Sequence, residues 1–289
     1  MKLPLITWLY APASRPDRIL KAIEFQPDAI IYDLEDAVAP PDKVQARRNL
    51  AAALAELDTR PERLARPHIE VRINPLGSEY CADDLAMVRD TPAIRSVRVP
   101  KVDTAEDLDR VAAQLPAGVV IHALIETAVG VMNLPDICRS THVAGVSLGE
   151  ADLRAELRVT GTEVIDHIRR HLVISSAAAA KHTPMGSAFL NIHDHDGLLA
   201  DTRTLARTGF LGRTALHPGQ LPYIRAGFRP TELEHAAALS VLDAVGGEAD
   251  GAASGAAALA DGTFIDRPVI LRAQQTVDLW EATQELHAG

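Results

Sequence analysis

Short apolar runs rich in β-branched residues recur along the chain, and longer stretches with apolar residues at helical spacing separate them. Runs of about four to eight such residues, bounded by turn-forming residues, are typical of buried strands. The pattern predicts eight strands, which are Ile6–Ala11, Ala29–Asp33, Ile69–Asn74, Ser96–Pro100, Val119–Ile125, Val143–Leu148, Met185–Leu190 and Thr214–Leu216.

The separating stretches are rich in Ala, Leu and Arg and carry the periodicity of amphipathic helices. Glu106 and Asp107 show how one of them begins, because the helix dipole stabilises carboxylates in the first turn. The predicted helices are Pro16–Phe25, Pro41–Leu57, Ala82–Asp90, Ala105–Gln114, Val131–Ser140, Thr162–Lys181 and Gly197–Thr208.

The alternation of strands and helices predicts an α/β fold built on a parallel sheet. Eight repeats over about 220 residues favour a (β/α)8 TIM barrel. A doubly wound nucleotide-binding sheet is disfavoured, because no G-x-G-x-x-G or G-x-x-x-x-G-K-[ST] segment follows a predicted strand. We therefore predict a barrel over residues 1–229.

Residues 230–289 are expected to lie outside the barrel. A helix is predicted from Pro230 to about Val245, and the Gly/Ala/Asp-rich tract Gly246–Gly262 has the composition of a flexible linker. Apolar periodicity returns in FIDRPVILRAQQTVDLW, which predicts a terminal helix. Order beyond a linker indicates a segment that is held in place for a purpose.

Composition disfavours several classes of protein. The 289 residues include 29 Lys+Arg and 39 Asp+Glu, a formal net charge of −10, whereas nucleic-acid and anionic-membrane binders need a positive surface. An anionic ligand therefore requires a local cluster of cations. The two cysteines, Cys81 and Cys138, form no C-x-x-C pair, which predicts a reducing, cytoplasmic compartment. No apolar run reaches the roughly 18 residues of a membrane-spanning helix.

Polar residues follow the predicted strands at the ends where parallel barrels place their chemistry. Glu126 follows the fifth strand and Asp152 the sixth, and two carboxylates completed by water and substrate oxygens suit Mg²⁺. Arg72, on the third strand, has the planar fork that binds a carboxylate through two parallel hydrogen bonds. Each residue alone fits a structural ion pair as well, but the set on successive strands favours a metal and anion site.

Eight sequence segments occur in the order typical of one enzyme family. They are LYAPASRPDRILKA, AIIYDLEDAVAPPDKVQAR, VRINPLGS, VRVPKV, ALIETAVGV, GEADL, GFLGRTALHPGQL and DGTFIDRPVILRA, and they cover nearly the whole chain. The chain resembles the citrate lyase β-subunit-like (CitE-like) branch of the HpcH/HpaI aldolase superfamily, which includes malyl-CoA, citramalyl-CoA and β-methylmalyl-CoA lyases. DLEDAV together with VRINP, IET and G-x-x-D-L is a far more specific signal than any one motif.

The resemblance implies a TIM barrel that binds Mg²⁺, or Mn²⁺, and reversibly cleaves a 3-hydroxyacyl-CoA into an acyl-CoA and an α-keto acid. Carried over by position, Glu126 and Asp152 are metal ligands, and Arg72 binds the substrate carboxylate beside Glu126. Glu35 and Asp36 fall on an acidic pair that lines the site.

The resemblance also implies that a neighbouring subunit completes the site. Asp266, in FIDRP, falls on an acid/base residue that the C-terminal segment of the neighbour supplies. We therefore expect a homo-oligomer, a trimer if these segments are exchanged. The linker would let residues beyond it close over the barrel mouth as a lid.

Residues expected to contact CoA lie early and late in the predicted barrel. The resemblance places Tyr10, Lys21, His217 and Pro218 on the CoA portion of the substrate. Arg15, Arg18 and Lys21 follow the first strand and form the local cationic cluster that CoA phosphates require, with a solvated helix face as the alternative interpretation.

The chain departs from the family pattern at several positions, among them Ile6, Gly186 and Asn191. These departures leave the acyl chain and the keto acid open. The alternatives to a stand-alone lyase are the citryl-carrier subunit of a citrate lyase complex, an acyl-CoA thioesterase, and a barrel that binds an acyl-CoA or keto acid without catalysis.

Overall fold

The computed structural model describes residues 4–59, 67–245, 257–258 and 264–284. Its centre is a parallel sheet of seven strands in the order β6-β5-β4-β3-β2-β1-β7, which forms a half-barrel. The strands are β1 (Thr7–Pro12), β2 (Ala29–Asp33), β3 (His68–Arg72), β4 (Ser96–Val99), β5 (Val120–Ile125), β6 (Val143–Leu148) and β7 (Arg213–Ala215).

The predicted strand Met185–Leu190 is wrong, because only Gly186 forms a bridge there, to Arg213 of β7. The segment nevertheless lies between the two edges of the sheet. The amide of His182 donates to the carbonyl of Ala144 in β6 at 3.0 Å, and the amide of Leu211 donates to the carbonyl of Pro184 at 2.9 Å. Proline lacks the amide hydrogen that a strand needs, and glycine weakens a strand, which explains the irregular backbone.

Helices cover the sheet, and two predicted helices are each divided. One break falls at Asn133, and Pro135 lies in the first turn of the helix that follows, where its missing amide hydrogen is tolerated. The helices are α1 (Pro16–Ile19), α2 (Lys21–Glu24), α3 (Lys43–Thr59), α4 (Cys81–Arg89), α5 (Ala105–Ala112), α6 (Ala128–Met132), α7 (Leu134–Arg139), α8 (Glu150–Leu157), α9 (Glu163–Ala178), α10 (His195–Arg207), α11 (Leu221–Phe228), α12 (Glu232–Ala244) and α13 (Arg267–Gln284).

Helix α8 was not predicted, and it carries part of the candidate site. It begins directly after β6, at Gly149, so Glu150 and Asp152 lie in its first turn. The main core lies between the sheet and the helices that cover it. Strand residues such as Val71 and Ala123 pack with helix residues such as Leu108, and all three are fully buried.

The C-terminal region has a small core of its own, formed by α12, α13 and β9 (Phe264–Ile265). His235 of α12 stacks on Trp280 of α13 with ring centroids 4.4 Å apart. Strand β8 (Ala257–Ala258) pairs antiparallel with β9, so two residues of the predicted linker Gly246–Gly262 are ordered, and the rest lie outside the described residues. In the described part of the chain, no helix is long and apolar enough to span a membrane.

Candidate active site

A cavity of about 570 Å³ lies at the carboxyl ends of the strands. Parallel strands bring their ends to one edge of the sheet, and this edge gathers the polar residues that the sequence separates by more than a hundred positions. The polar residues that line the cavity include Asp33, Asp36, Arg72, Arg98, Glu126, Ser147, Glu150 and Asp152.

Arg72, at the end of β3, is held by Asp33 at the end of β2. Arg72 Nε and Nη2 donate to the two oxygens of Asp33 at 2.8 and 2.6 Å, so the parallel fork predicted to bind a substrate carboxylate is engaged within the protein. Nη1 lies 3.0 Å from Oε2 of Glu35 and 3.4 Å from Oδ2 of Asp36. Asp33 is a site residue to which the sequence analysis gave no role.

Glu35 lies behind Arg72 rather than on the cavity wall. It is buried between Arg72 and Lys101, whose Nζ is 3.7 Å from Oε1 of Glu35, and neither carboxylate oxygen has a hydrogen-bond partner among the described residues. Lys43 of α3 fixes this corner, since Nζ donates to the carbonyls of Leu34 and Glu35 at 2.7 Å each. Asp36 is exposed and does line the cavity.

Glu126 is buried directly after β5 and points toward the loop that follows β4. The amide of Lys101 donates to Oε1 of Glu126 at 3.1 Å, and Lys101 adopts the left-handed backbone region with φ of 52°. A residue without glycine's freedom in that region is strained, and such strain is typical of functional sites. This backbone conformation points the amide of Lys101 toward Glu126, the candidate metal ligand.

Asp152 reaches the cavity from the first turn of α8, and it is exposed. The helix is anchored by Glu150, which accepts from Nε and Nη2 of Arg169 on α9 at 2.7 and 2.8 Å. A bidentate ion pair is rigid. Arg169 therefore keeps α8, and Asp152 with it, against the strand ends.

The two buried glutamates hold their protons unusually tightly. Burial raises the pKa of Glu35 to about 7, with Asp36 adding repulsion that Arg72 opposes. Burial also raises the pKa of Glu126 to about 8, and the nearby charges of Glu35 and Asp152 add to the rise. The buried Glu126 is thus repelled by Glu35 and by the exposed Asp152, and a cation bound beside Glu126 would offset this negative charge.

These residues fit a Mg²⁺ ion. Glu126 and Asp152 supply carboxylate oxygens beside an open cavity, and the raised pKa of Glu126 shows that its position favours added positive charge. No group of three or more His, Cys, Asp and Glu side chains in the described ranges could hold a metal ion alone. That agrees with Mg²⁺, which takes one or two protein carboxylates and completes its shell with water and substrate.

Mg²⁺ is expected to stabilise the protein more as the pH rises. The ordinary pKa of 4.5 is raised to about 7 in Glu35 and about 8 in Glu126, so without metal their contribution to stability falls as the pH rises through that interval. A bound Mg²⁺ ion would supply the positive charge that the protons on Glu35 and Glu126 supply at low pH. Its effect on Tm, measured by calorimetry at fixed Mg²⁺ concentration, should be small near about pH 5.5 and several degrees larger near about pH 8.5. Equal shifts at both pH values would contradict this assignment.

Gly149 has no side chain, and Glu126 occupies the space that a side chain at position 149 would fill. A Cβ atom added at position 149 would lie 2.6 Å from Cβ of Glu126 and would also collide with Oε2 of Glu126. We expect Gly149→Ala to displace Glu126 and weaken Mg²⁺ binding about 10- to 100-fold, as measured by titration calorimetry. Gly161→Ala is the matched control, because its methyl group would meet only the Glu163 side chain. Unchanged affinity in Gly149→Ala would show that Glu126 is not a ligand.

Tyr10 and Arg98, which lie inside the sheet, also line the cavity. Tyr10, expected to contact CoA, lines the cavity with its ring centroid 5.2 Å from the guanidinium carbon of Arg72. Arg98 of β4 lines the cavity from below, and it received no role from the sequence. An arginine between Val97 and Val99 in an apolar strand was the available signal.

The other residues expected to contact CoA lie away from the cavity wall. Arg15 pairs with Asp17 at 3.0 Å, and Nε of Arg18 lies 3.5 Å from the same carboxylate, so the predicted cluster is partly neutralised. Lys21 is exposed. His217 is exposed as well, and its Nδ1 accepts from the amide of Gly219 at 3.1 Å to cap the turn that begins at Pro218.

Asp266 lies in the C-terminal region, just before α13. It is exposed, accepts a hydrogen bond from the amide of Val269 at 3.2 Å, and is not among the residues that line the cavity of its own chain. The structure therefore does not bring Asp266 to Glu126 and Arg72 within one chain.

Comparison with known proteins gives a consistent result. The family model described as HpcH/HpaI aldolase/citrate lyase matches residues 7–218. The citrate lyase subunit beta of Leuconostoc mesenteroides subsp. cremoris is 30% identical over 96% of this chain and 93% of its own length. A (3S)-malyl-CoA thioesterase of Cereibacter sphaeroides is 32% identical over 99% of this chain and 98% of its own.

A similar solved structure is that of protein CitE from Mycobacterium tuberculosis in complex with magnesium, acetoacetate and coenzyme A. It matches with a TM-score of 0.78 at 30% identity and covers 96% of this chain and 98% of the other. The likeness therefore extends over nearly the whole length of both chains.

Proposed function

Because this chain belongs to the HpcH/HpaI aldolase/citrate lyase family, we propose that it cleaves or forms a 3-hydroxyacyl-CoA such as malyl-, citramalyl- or β-methylmalyl-CoA, with an acyl-CoA and an α-keto acid as products. The chain is an enzyme, a carbon–carbon lyase of the oxo-acid type, and its cofactor is Mg²⁺. The observation that carries the proposal is the meeting of Glu126, Asp152 and Arg72 around one cavity.

Glu126 and Asp152 would hold the Mg²⁺ ion. When bound, Mg²⁺ supplies Lewis acidity that lowers the pKa of the substrate hydroxyl group and neutralises negative charge. Asp33 holds Nε and Nη2 of Arg72 and fixes the guanidinium plane, whereas Nη1 lies 3.0 Å from Glu35 and 3.4 Å from the cavity-lining Asp36. We assign Nη1 to the substrate carboxylate and Glu35 to keeping Arg72 in place.

Cleavage requires two proton movements. The hydroxyl group loses its proton, the carbon–carbon bond breaks to leave a carbonyl group, and the electron pair forms the enolate of the acyl thioester. We assign Asp36 to receive the hydroxyl proton, because its exposed carboxylate lines the cavity. The enolate then takes a proton at its α-carbon from Asp266, and in condensation the same carboxylate removes it.

Asp266 would act on the cavity of a neighbouring subunit. Its exposure and its absence from the cavity wall of its own chain support this, as do Leu190 and Leu216, which line the cavity and are exposed apolar side chains. We propose a homotrimer in which residues 230–289 of each subunit serve as a lid on the barrel, residues 1–229, of a neighbour. The segment between β6 and β7 would complete the wall of that barrel.

The CoA portion would extend from the cavity toward α1 and α2. Lys21 and Arg18 are exposed and would supply positive charge for the phosphates. Tyr10 lies within β1 beside the end of β7, which His217 and Pro218 follow. We propose a cytoplasmic location, which the two free, buried cysteines Cys81 and Cys138 support.

Two other activities have specific support. Hydrolysis of the thioester is favoured by the 32% identity to a (3S)-malyl-CoA thioesterase, and action on a carrier-bound citryl group by the 30% identity to a citrate lyase subunit beta. A barrel that binds its ligand without catalysis has less support, because both candidate metal carboxylates and Arg72 are in place.

The products separate these functions. Purified protein with Mg²⁺ is incubated with malyl-, citramalyl- and β-methylmalyl-CoA, and keto acid, acyl-CoA and free CoA are measured. The lyase releases keto acid and acyl-CoA in equal amounts. Free CoA without keto acid identifies a thioesterase, and turnover only with a citryl-loaded carrier protein identifies the complex subunit. No product from any of these substrates would overturn the proposed function.

A further inference from the structure

Arg98 lies inside the sheet, below the candidate metal site. It is on β4, one residue before Val99, the last residue of the strand, and its side chain is 1% exposed although it borders the 570 Å³ cavity. Side chains on one face of a strand recur at every second position, about 6.6 Å apart. Arg98 therefore forms the floor of the cavity, one layer deeper than the strand ends.

One nitrogen of the Arg98 guanidinium has a strong hydrogen-bond partner, and the other two have weak ones. Nε donates to Oε1 of Glu70 at 2.6 Å, a strong charge-assisted bond. In the described residues, Nη1 reaches only the hydroxyl of Tyr10 at 3.5 Å, and Nη2 only the thioether of Met185 at 3.0 Å. Both are weak partners for a guanidinium whose paired amino groups match a carboxylate.

Glu70 does not complete the binding needs of Arg98, because its second oxygen serves other groups. Oε2 accepts from the hydroxyl of Ser96 at 2.7 Å and also contacts Nδ1 of His122. The outer edge of the Arg98 guanidinium, formed by Nη1 and Nη2, thus faces Tyr10, Met185 and the cavity.

Ser147 provides a second, independent sign of a missing partner. It is 4% exposed and lies on β6, where it lines both the 570 Å³ cavity and a larger cavity opposite, and its hydroxyl has no hydrogen-bond partner among the described residues. Buried hydroxyl groups are normally satisfied by protein, water or ligand. This hydroxyl therefore has the capacity to donate to a group that enters the cavity.

We propose that Arg98 and Ser147 form a second anion subsite, which binds the distal carboxylate of a 2-oxo dicarboxylic acid. The inference rests on the proposed function, since Glu126, Asp152 and Arg72 hold the 2-oxo acid end of the ligand. The distal carboxylate accepts hydrogen bonds from Nη1 and Nη2 of Arg98 and from the Ser147 hydroxyl. A ligand with an alkyl side chain leaves these donors unpaired, which disfavours it.

Met185 fits the role of a movable cover for this subsite. Its sulfur occupies the position beside Nη2 of Arg98, and the residue lines both the 570 Å³ cavity and a larger one on the opposite side. Methionine is flexible and adapts to irregular spaces. Rotation of its side chain exchanges the thioether for the carboxylate without moving the backbone.

Binding of two matched acids tests the subsite. Titration calorimetry at low temperature, which slows decarboxylation, compares oxaloacetate with 2-oxobutyrate on the Mg²⁺-loaded protein. We expect oxaloacetate to bind at least about tenfold more tightly, as charge-assisted hydrogen bonds predict. Ser147→Ala should lower this preference about threefold, while the affinity for 2-oxobutyrate stays within about twofold.

The arginine is tested in a form that leaves no buried charge unpaired. Arg98→Met alone would strand Glu70, so it is combined with Glu70→Gln, and the double variant should lose the preference for oxaloacetate. Arg95→Met, which removes an exposed arginine outside this cavity, is the matched control and should keep it. Equal binding of the two acids by the wild type, or a retained preference in the folded double variant, overturns the inference.

The two proposals fail separately. Release of keto acid from a CoA thioester without a preference between the two acids overturns the subsite and leaves the lyase. A preference that depends on Arg98 and Ser147, without cleavage of any thioester, overturns the lyase and leaves the subsite.

Discussion

Replacing Glu126 by glutamine is expected to lower Mg²⁺-dependent turnover at least about a hundredfold, because it removes the charge that holds the metal but keeps the shape of the side chain. The same change should stabilise the metal-free protein at high pH. Burial and the charges of Glu35 and Asp152 raise the pKa of Glu126 from 4.5 to about 8, so stability falls as the pH rises between these values, and the full cost persists above them. Glutamine has no such ionisation. Kinetics with varied Mg²⁺ and thermal unfolding in EDTA near about pH 6 and about pH 9 measure both effects.

Glu106→Gln is the matched control for this pair of effects, because Glu106 is an exposed carboxylate on α5. It should change neither turnover nor the pH dependence of Tm. Full activity in Glu126→Gln would overturn the metal assignment. A metal-free Glu126→Gln protein that is less stable than the wild type at high pH would contradict the charge repulsion inferred for the site.

Replacing Asp266 by alanine is expected to lower carbon–carbon cleavage by about 10²- to 10⁴-fold, the usual contribution of a general acid or base. The fold should survive, because Asp266 is exposed and, among the described residues, its side chain accepts a hydrogen bond only from the amide of Val269. Asp266 also caps α13, because its carboxylate accepts from the amide of Val269. Asp266→Ser separates this capping role from the proton transfer, since serine caps a helix but does not transfer this proton. We expect kinetic measurements to show the same loss of turnover in Asp266→Ala and Asp266→Ser. Thermal unfolding should show that Asp266→Ser keeps the stability of the wild type.

Mixed oligomers test where Asp266 acts. Asp266→Ala and Arg72→Ala proteins are each inactive, but a site that takes Asp266 from a neighbour is intact when it combines the normal residue of each. Random mixing in equal amounts leaves about one site in four intact, provided that each site spans two subunits. Mass spectrometry verifies the mixing. No recovery in verified mixed oligomers would place Asp266 in its own subunit.

Some strands were predictable from short apolar runs bounded by turn-forming residues. Ala29–Asp33 and Val143–Leu148 have the predicted bounds, and all but one of their residues are buried in the sheet. Met185–Leu190 satisfied the same pattern but forms a single bridge, since Pro184 and Gly186 interrupt the ladder. Helix α8 was missed because Glu150 and Asp152 are polar strand-end residues and helix-starting residues at once.

The candidate site shows what each level of structure contributes. Strand ends alone identified Glu126, Asp152 and Arg72, since parallel strands deliver such residues to one edge of a sheet. Which donors of Arg72 remain for a ligand depended on the ion pair with Asp33, a contact between residues 39 positions apart. The raised pKa values of Glu35 and Glu126 likewise depend on burial that no local sequence pattern encodes.

The sequence by itself determined the α/β class and the family and indicated the candidate metal residues, because periodicity and motif spacing are local properties of the chain. Only the tertiary structure decided that Glu35 lies behind Arg72, that Arg98 and Ser147 border the cavity floor, and that Asp266 lies away from it. These relations arise when distant segments pack together, and packing sets the burial, charge environment and hydrogen-bond partners on which chemistry depends.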